Sequence, residues 1–280
     1  MPLDFTSVTG LSRRGGTMLY SARSKEFMAP DGQEKAVATC KLLGIDGLVG
    51  IGGDGTFRGL LELSKLGVAV VGVPGTIDND IACSSYTIGY DTACNTAIDS
   101  IDKLRDTMQS HERCSVVEVM GRHAGHLALY VGVACGATAV VVPEQEIDYE
   151  HDLIEPIRRA RINGRTHFMV IVAEGVEGGA YGVAEKIREA TALDTRVTIL
   201  GHVQRGGAPS ARDRVTATYM GYEAVKLLAA GKTNRVICLQ EDKYVDFDIA
   251  EALSMKKSLD IQTYTVMRAL TGMEQVKLKS

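Results

Sequence analysis

Six short apolar runs recur along this 280-residue chain, and they limit its architecture more than any other feature. They are "GLVGI" at 47–51, "VAVVGV" at 68–73, "SVVEVM" at 115–120, "AVVVP" at 139–143, "FMVIVAEG" at 168–175 and "RVTILG" at 196–201. Runs rich in valine and isoleucine, of strand length and closed by glycine or proline, predict buried parallel strands. Amphipathic stretches lie between them. In "DTACNTAIDSIDKLRDTMQS", Ala93, Ala97, Ile101, Leu104 and Met108 recur every three or four positions. Asp99, Asp102, Lys103, Arg105 and Asp106 occupy the other face, so the spacing predicts one solvent-facing helix. "DLIEPIRRARING", with Pro156 in a first turn, "GVAEKIREATA" and "ARDRVTATYMGYEAVKLLAAG", ending on the C-cap candidate Gly231, continue the alternation. Strands alternating with helices imply an open, mostly parallel α/β sheet covered on both faces, and the length suits two lobes. In such sheets ligands bind beyond the carboxyl ends of the strands.

Composition narrows the partners. Hydrophobic residues make up 45%, charged residues 24%, and the mean hydropathy is +0.01, the balance of a globular protein. A net charge of -4 without a lysine or arginine run gives no footprint for nucleic acid, so a phosphate-bearing partner is expected to be a metabolite. Six cysteines without a CxxC pair predict free buried thiols rather than disulfides or zinc. The opening "MPLDFTSVTGLSRRGG" lacks an apolar signal core, and no run reaches the ~18 apolar residues of a membrane span. A cytoplasmic protein without a membrane partner is the expectation.

Polar motifs cluster where the apolar runs end. After "GLVGI" comes Gly52-Gly53-Asp54-Gly55-Thr56. Glycines there let backbone N–H groups approach an anion at a helix N-terminus, and an aspartate beside polyphosphate can hold Mg²⁺. The alternative is a tight turn in which Asp54 or Thr56 only caps the helix. "VGVPGTIDND" repeats the arrangement with Thr76, Asp78 and Asp80. In extended backbone Asp78 and Asp80 share a face, which suits one carboxylate taking a proton and another supporting a metal or water; an Asx turn is the alternative. "EVMGRHAGH" supplies Gly121 and Arg122, either an anion clamp or a surface ion pair. His123 and His126 are read as structural, since a metal site needs a fuller ligand set. "VAEG" adds Glu174, and "RVTILGHVQRGGAPSARDR" adds Arg196, His202 and Arg205. A carboxylate, an imidazole and arginines suit the hydroxyls and phosphate of a sugar phosphate.

Taken together, "RRGGTMLYSAR", "IGGDGTFRG", "GVPGTIDNDI", "YTIGYDTACNT", "SHERCSVVEVMGRHAG", "VPE", "VAEG" and "LGHVQRGGAPSARDR" resemble, in order and spacing, the ATP-dependent 6-phosphofructokinases of the bacterial type. The resemblance runs from about residue 13 to beyond 250. It implies two Rossmann-like lobes, a nucleotide lobe of 1–90 plus about 205–251 and a fructose 6-phosphate lobe of about 91–204 plus 252–280. It also implies transfer of a phosphoryl group from MgATP to the C1 hydroxyl of fructose 6-phosphate, the committed step of glycolysis. By similarity Asp78 is the base, supported by Thr76 and Asp80, and Asp54 matches the Mg²⁺ site. Arg23, Ser24, Gly53, Gly55, Thr56 and Gly59 line the nucleotide side, with Arg122 and Arg23 beside the transferring phosphoryl group. Met120, Gly121, Glu174, His202 and Arg205 hold the sugar phosphate, and Arg113 and Arg196 reach in from a neighbouring subunit of a homotetramer. Arg105 and Gly136 match the effector site, where Thr138 and Thr166 replace an acid and a lysine. Pyrophosphate-using relatives carry an aspartate at Gly55 and a lysine at Gly75, so both glycines favour ATP.

The resemblance starts partway into the family pattern. The family carries about fifty earlier residues, with the first strand and a "GGDxPGMN"-like loop over the ATP phosphates. The sequence therefore implies either a fragment or start-site error, or an α/β fold that lacks that strand and loop. The expectation is a form weak or inactive as a kinase, its fructose 6-phosphate side intact. A catalytically defective sugar-phosphate-binding chain is the second reading, and a pyrophosphate-dependent kinase the third.

Overall fold

The computed structural model describes residues 2–108 and 113–271. Gln109 and Ser110, the end of the predicted helix, and residues 272–280 lie outside the described residues. The helices are α1 (Phe5–Val8), α2 (Pro30–Leu42), α3 (Asp54–Lys65), α4 (Tyr90–Met108), α5 (His126–Ala134), α6 (Glu155–Ile162), α7 (Gly179–Thr191), α8 (Ala211–Ala229), α9 (Ile249–Ser254) and α10 (Ile261–Leu270). The strands are β1 (Leu48–Gly52), β2 (Val70–Thr76), β3 (Ile88–Gly89), β4 (Arg113–Val119), β5 (Ala139–Val141), β6 (His167–Ala173), β7 (Asp194–Ile199), β8 (Arg235–Gln240) and β9 (Lys243–Asp248). The chain divides into two compact units: Met1–Thr76 with Asp80–Asp91 and Ala208–Lys257, and Ile77–Asn79 with Thr92–Gly207 and Ser258–Ser280.

The first unit is built on a sheet of order β1-β2-β8-β9, with β3 paired to the end of β2. Its pairings are parallel except for the antiparallel β8–β9 hairpin. Helix α3 lays Phe57, Leu60 and Leu63, spaced by three, onto this sheet. The packing depends on missing side chains: a Cβ on Gly72 would stand 2.8 Å from the Phe57 ring, and one on Gly50 2.6 Å from Leu60. Core burial at about 25 cal/mol per Å² of apolar surface then holds helix to sheet.

The second unit is a fully parallel sheet of order β5-β6-β4-β7. Strand β6 is buried on both faces, which accounts for its unbroken "FMVIVA" run. Phe168, Val170 and Val172 pack with Val183, Ala184 and Ile187 of α7. Helix α5 covers β5 and β6 and is itself nearly all apolar. Pro156 lies in the first turn of α6, and Gly231, at φ +70°, closes α8 by donating to the Leu228 carbonyl.

Two strand expectations change. Strand β1 is an edge strand whose Leu48–Gly50 face packs under α3, while Val49 and Ile51 are 37% and 63% exposed. Strand β7 is the other unit's edge and exposes Ile199. The β8–β9 hairpin was not read from the sequence, because "RVICLQEDKYVDFD" follows no parallel-strand pattern past its first half. All six cysteines are free and buried. No helix among the described residues is long and apolar enough to cross a membrane.

Candidate active site

Strands β1 and β2 run parallel with Gly52 opposite Pro74, so their two polar turns leave the sheet side by side. Gly53 is the N-cap of α3 and Asp54 its first residue. No side chain caps this helix, so the capping alternative for Asp54 and Thr56 falls away, while the Thr56 N–H donates to the Gly53 carbonyl at 2.9 Å. Burial raises the Asp54 carboxyl above its ordinary range; the nearby Asp80 charge adds to this and Arg58 opposes it. A Cβ on Gly55 would meet nothing within 4 Å, whereas one on Gly52 would lie 2.2 Å from the Thr56 hydroxyl. Gly59 lets the Phe27 ring approach to 3.0 Å of where its Cβ would be, and the Phe27 N–H donates to Ser24 Oγ at 3.1 Å. The exposed Arg23–Ser24 stretch is thereby tied to α3.

At the end of β2, Thr76 accepts from Thr87 Oγ1 through its carbonyl at 2.7 Å and pairs with Gly89 of β3. Asp78 is 9% exposed, while Asp80 is exposed. The shared-face expectation for these two fails, because Asn79 takes a left-handed conformation at φ +49° and breaks the alternation between them. What Asp80 meets instead is the field of Asp54 on one side and of Lys257 on the other. Lys257 escaped the sequence reading. Its Nζ donates to the Ser84 carbonyl at 2.7 Å, and burial lowers its pKa to about 8 against the pull of Asp80 and Cys83. Cys83 hydrogen-bonds Cys238 of β8, which lowers the Cys83 thiol and raises that of Cys238.

In the second unit the residues after β4 form a strained loop. Gly121 sits at φ +141° with its Cα facing the Ala124 carbonyl, where a Cβ would clash at 2.4 Å, and Arg122 is left-handed at φ +60°. Glu174, at the end of β6, accepts from the Arg122 N–H at 2.7 Å and the Gly121 N–H at 3.3 Å, both on Oε1. The Met120 N–H donates to Gln204 Oε1 at 3.2 Å. Gln204 is 1% exposed and also donates to the Gly201 carbonyl, so it fastens the short helix Gly201–Arg205, with exposed His202 and Arg205, to the β4 loop. Gln204 was missed because a glutamine between a histidine and an arginine reads as solvated. Backbone strain of this kind, held by a buried network, marks functional loops.

Arg113 and Arg196 come together on one carboxylate: Asp194 accepts from both, at 2.9 and 3.0 Å. Desolvation works against it, yet the Arg196 and Arg113 hydrogen bonds hold the Asp194 carboxyl below its usual range. Arg105 donates to the Cys135 carbonyl at the end of α5, next to Gly136 at φ +59°. Thr138 lines a cavity of about 400 Å³ with Arg159, Asn163 and Arg165. Among the described residues no cluster of three histidines, cysteines or carboxylates could hold a metal by itself.

Residues 1–228 match the phosphofructokinase family model. The chain belongs to the phosphofructokinase family. It is 51% identical over 269 residues to the ATP-dependent 6-phosphofructokinase of Clostridium botulinum (strain Hall), covering 96% of this chain and 84% of that protein. The enzyme of the same name from Clostridium novyi is 51% identical over 265 residues, 95% of this chain and 82% of that one. Among solved structures, phosphofructokinase from Saccharomyces cerevisiae superposes with a TM-score of 0.84 at 34% identity, over 97% of this chain. The chain spans 40% of the length of that yeast chain. Two largely parallel sheets with flanking helices are this family's fold.

Proposed function

We propose that this chain is an ATP-dependent 6-phosphofructokinase, moving the γ-phosphoryl group of ATP to the C1 hydroxyl of fructose 6-phosphate in glycolysis, with Asp78 as base. The carrying observation is 51% identity across 96% of the chain to an ATP-dependent enzyme. Phosphoryl transfer asks the protein mainly for positioning and charge stabilisation. Asp78, almost buried and two residues past Thr76, suits a base held in place by the turn after β2. Asp80 belongs to the same turn. Open space over Gly55 and the uncapped N-terminus of α3 suit a nucleotide held by Gly53, Thr56, Gly59, Arg23 and Ser24.

The donor set fits Mg²⁺ as this ion is usually held, by one or two carboxylates plus phosphates and water. Asp54, desolvated and beside Asp80, gains most from a divalent cation, which would neutralise charge on the transferring group. Arg122 and Arg23 supply further positive charge. With Glu174 Oε1 occupied by two backbone N–H groups, Oε2 is left to accept from a sugar hydroxyl. Met120, Gly121, His202 and Arg205 complete the sugar phosphate side. Arg113 and Arg196, paired on Asp194, serve a neighbouring subunit of a homotetramer, and Arg105 and Gly136 belong to an effector site. The first lobe takes the nucleotide and the second the sugar.

The test is Asp78→Asn, assayed for fructose 6-phosphate-dependent ADP release. A loss of about 10²–10⁴ in kcat, with sugar phosphate binding kept within a few-fold, is expected for a general base. An unchanged kcat would remove Asp78 from this role.

A further inference from the structure

Two of the sequence motifs, "YTIGYDTACNT" and the "ARDR" that ends "LGHVQRGGAPSARDR", place residues with no role in the reaction as described: Tyr86 in the first and Asp213 in the second. The structure joins them. Asp213 is the third residue of α8 and 2% exposed, and its Oδ1 accepts from Tyr86 Oη at 2.5 Å and from the Gly89 N–H at 2.7 Å. These donors lie 127 and 124 residues earlier in the chain. We infer that Asp213 is a positioning residue for phosphoryl transfer, fixing β3 and through it Thr76 and the turn that leads to Asp78.

An acid near a helix start ordinarily serves its own helix. Here that work is done by Ser210, whose Oγ accepts from the Asp213 N–H at 3.3 Å, and the Asp213 carboxylate reaches away to Tyr86 and Gly89. Gly89 is half of a two-residue strand, too short to hold a register unaided, and its φ of +105° is one that few other residues would adopt. It is the residue paired with Thr76, and Thr87 beside it donates to the Thr76 carbonyl. A charge-assisted bond to the Gly89 N–H therefore sets where β2 ends. Tyr86 completes the clamp, with the Arg212 guanidinium 4.3 Å above its ring and Tyr90 edge-on at 6.2 Å.

The inference rests on the proposed reaction, and two readouts on the full 280-residue chain separate them. In the first, kcat and KM are compared for Asp213→Asn, which keeps an Oδ1 acceptor, and Asp213→Leu, which does not. Asp213→Leu should lower kcat by about 10- to 100-fold with both KM values within about threefold, as for a catalytic group displaced by roughly an ångström, and Asp213→Asn should recover most of it. In the second, amide hydrogen exchange over residues 74–91 should quicken at least about tenfold in Asp213→Leu alone, with the α8 amides still protected. Unchanged exchange at 74–91, a loss of protection spread equally over α8, or a loss confined to KM would overturn the inference. If the unaltered chain releases no ADP with fructose 6-phosphate, the proposed reaction fails, and the exchange readout alone decides for or against the Asp213 clamp.

Discussion

Gly55→Asp separates what the fold needs at the α3 N-terminus from what a nucleotide needs. The new Cβ meets nothing within 4 Å, so the substitution carries no steric cost. An acid in the first turn of a helix gains ~0.3–1 kcal/mol from the helix dipole, and repulsion from Asp54 and Asp80 offsets it. The net change should stay within about 0.5 kcal/mol, less than ~2 °C in Tm. For ATP the sum is different. A unit charge ~6 Å from a phosphate oxygen costs about 3 kcal/mol at an effective dielectric of ~20 and about 0.7 kcal/mol in bulk water. Gly55 is exposed, so a value between these, about 1–2 kcal/mol, is appropriate, a ~5- to 30-fold loss in affinity. Calorimetric titration with MgATP reads the loss, titration with fructose 6-phosphate should move less than about twofold, and a thermal scan checks the fold. Unaltered MgATP affinity in a variant of unaltered Tm would refute the placement of the nucleotide over Gly55.

Three further outcomes follow from the structure. Gly121→Ala should destabilise by at least about 1–3 kcal/mol in denaturant unfolding, since alanine disfavours φ +141° and its Cβ would press on the Ala124 carbonyl; a change under ~0.5 kcal/mol would show the loop to be unstrained. Lys257 should make stability depend on alkaline pH. Its folded pKa is about 8 against 10.5 unfolded, so the penalty for burying its charge is present below pH 8 and is relieved as pH rises toward 10.5. Relative to Lys257→Met, the unaltered chain should therefore gain Tm across that window, and parallel curves would count against the burial of the charge. Gln204→Leu, which removes the acceptor for the Met120 N–H without changing volume much, should weaken fructose 6-phosphate binding more than MgATP binding, as measured by calorimetry of both ligands.

Much of the candidate site was legible because it is local in sequence. Gly53 through Thr56, Thr76 through Asp80 and Met120 through Arg122 each lie directly after an apolar run, and a strand that ends in glycine delivers its next residues to one edge of a parallel sheet. The supporting residues were not. Lys257, Gln204, Asp213 and Cys238 act on partners from 84 to 173 residues away, and although Gln204 and Asp213 stand in a quoted motif, nothing in it names those partners.

By itself the sequence determined the alternation of strands and helices, the strand ends that carry polar turns, the family, and the burial of six free thiols, because these follow from short-range periodicity and from motifs with fixed spacing. Tertiary structure alone decided that β1 and β7 are edges that expose Ile51 and Ile199, that Asn79 turns left-handed and parts Asp78 from Asp80, and that one carboxylate gathers Arg113 and Arg196. The physical reason is that solvent exposure, backbone handedness at a non-glycine residue and charge pairing between strands are set by neighbours that the chain brings together only on folding.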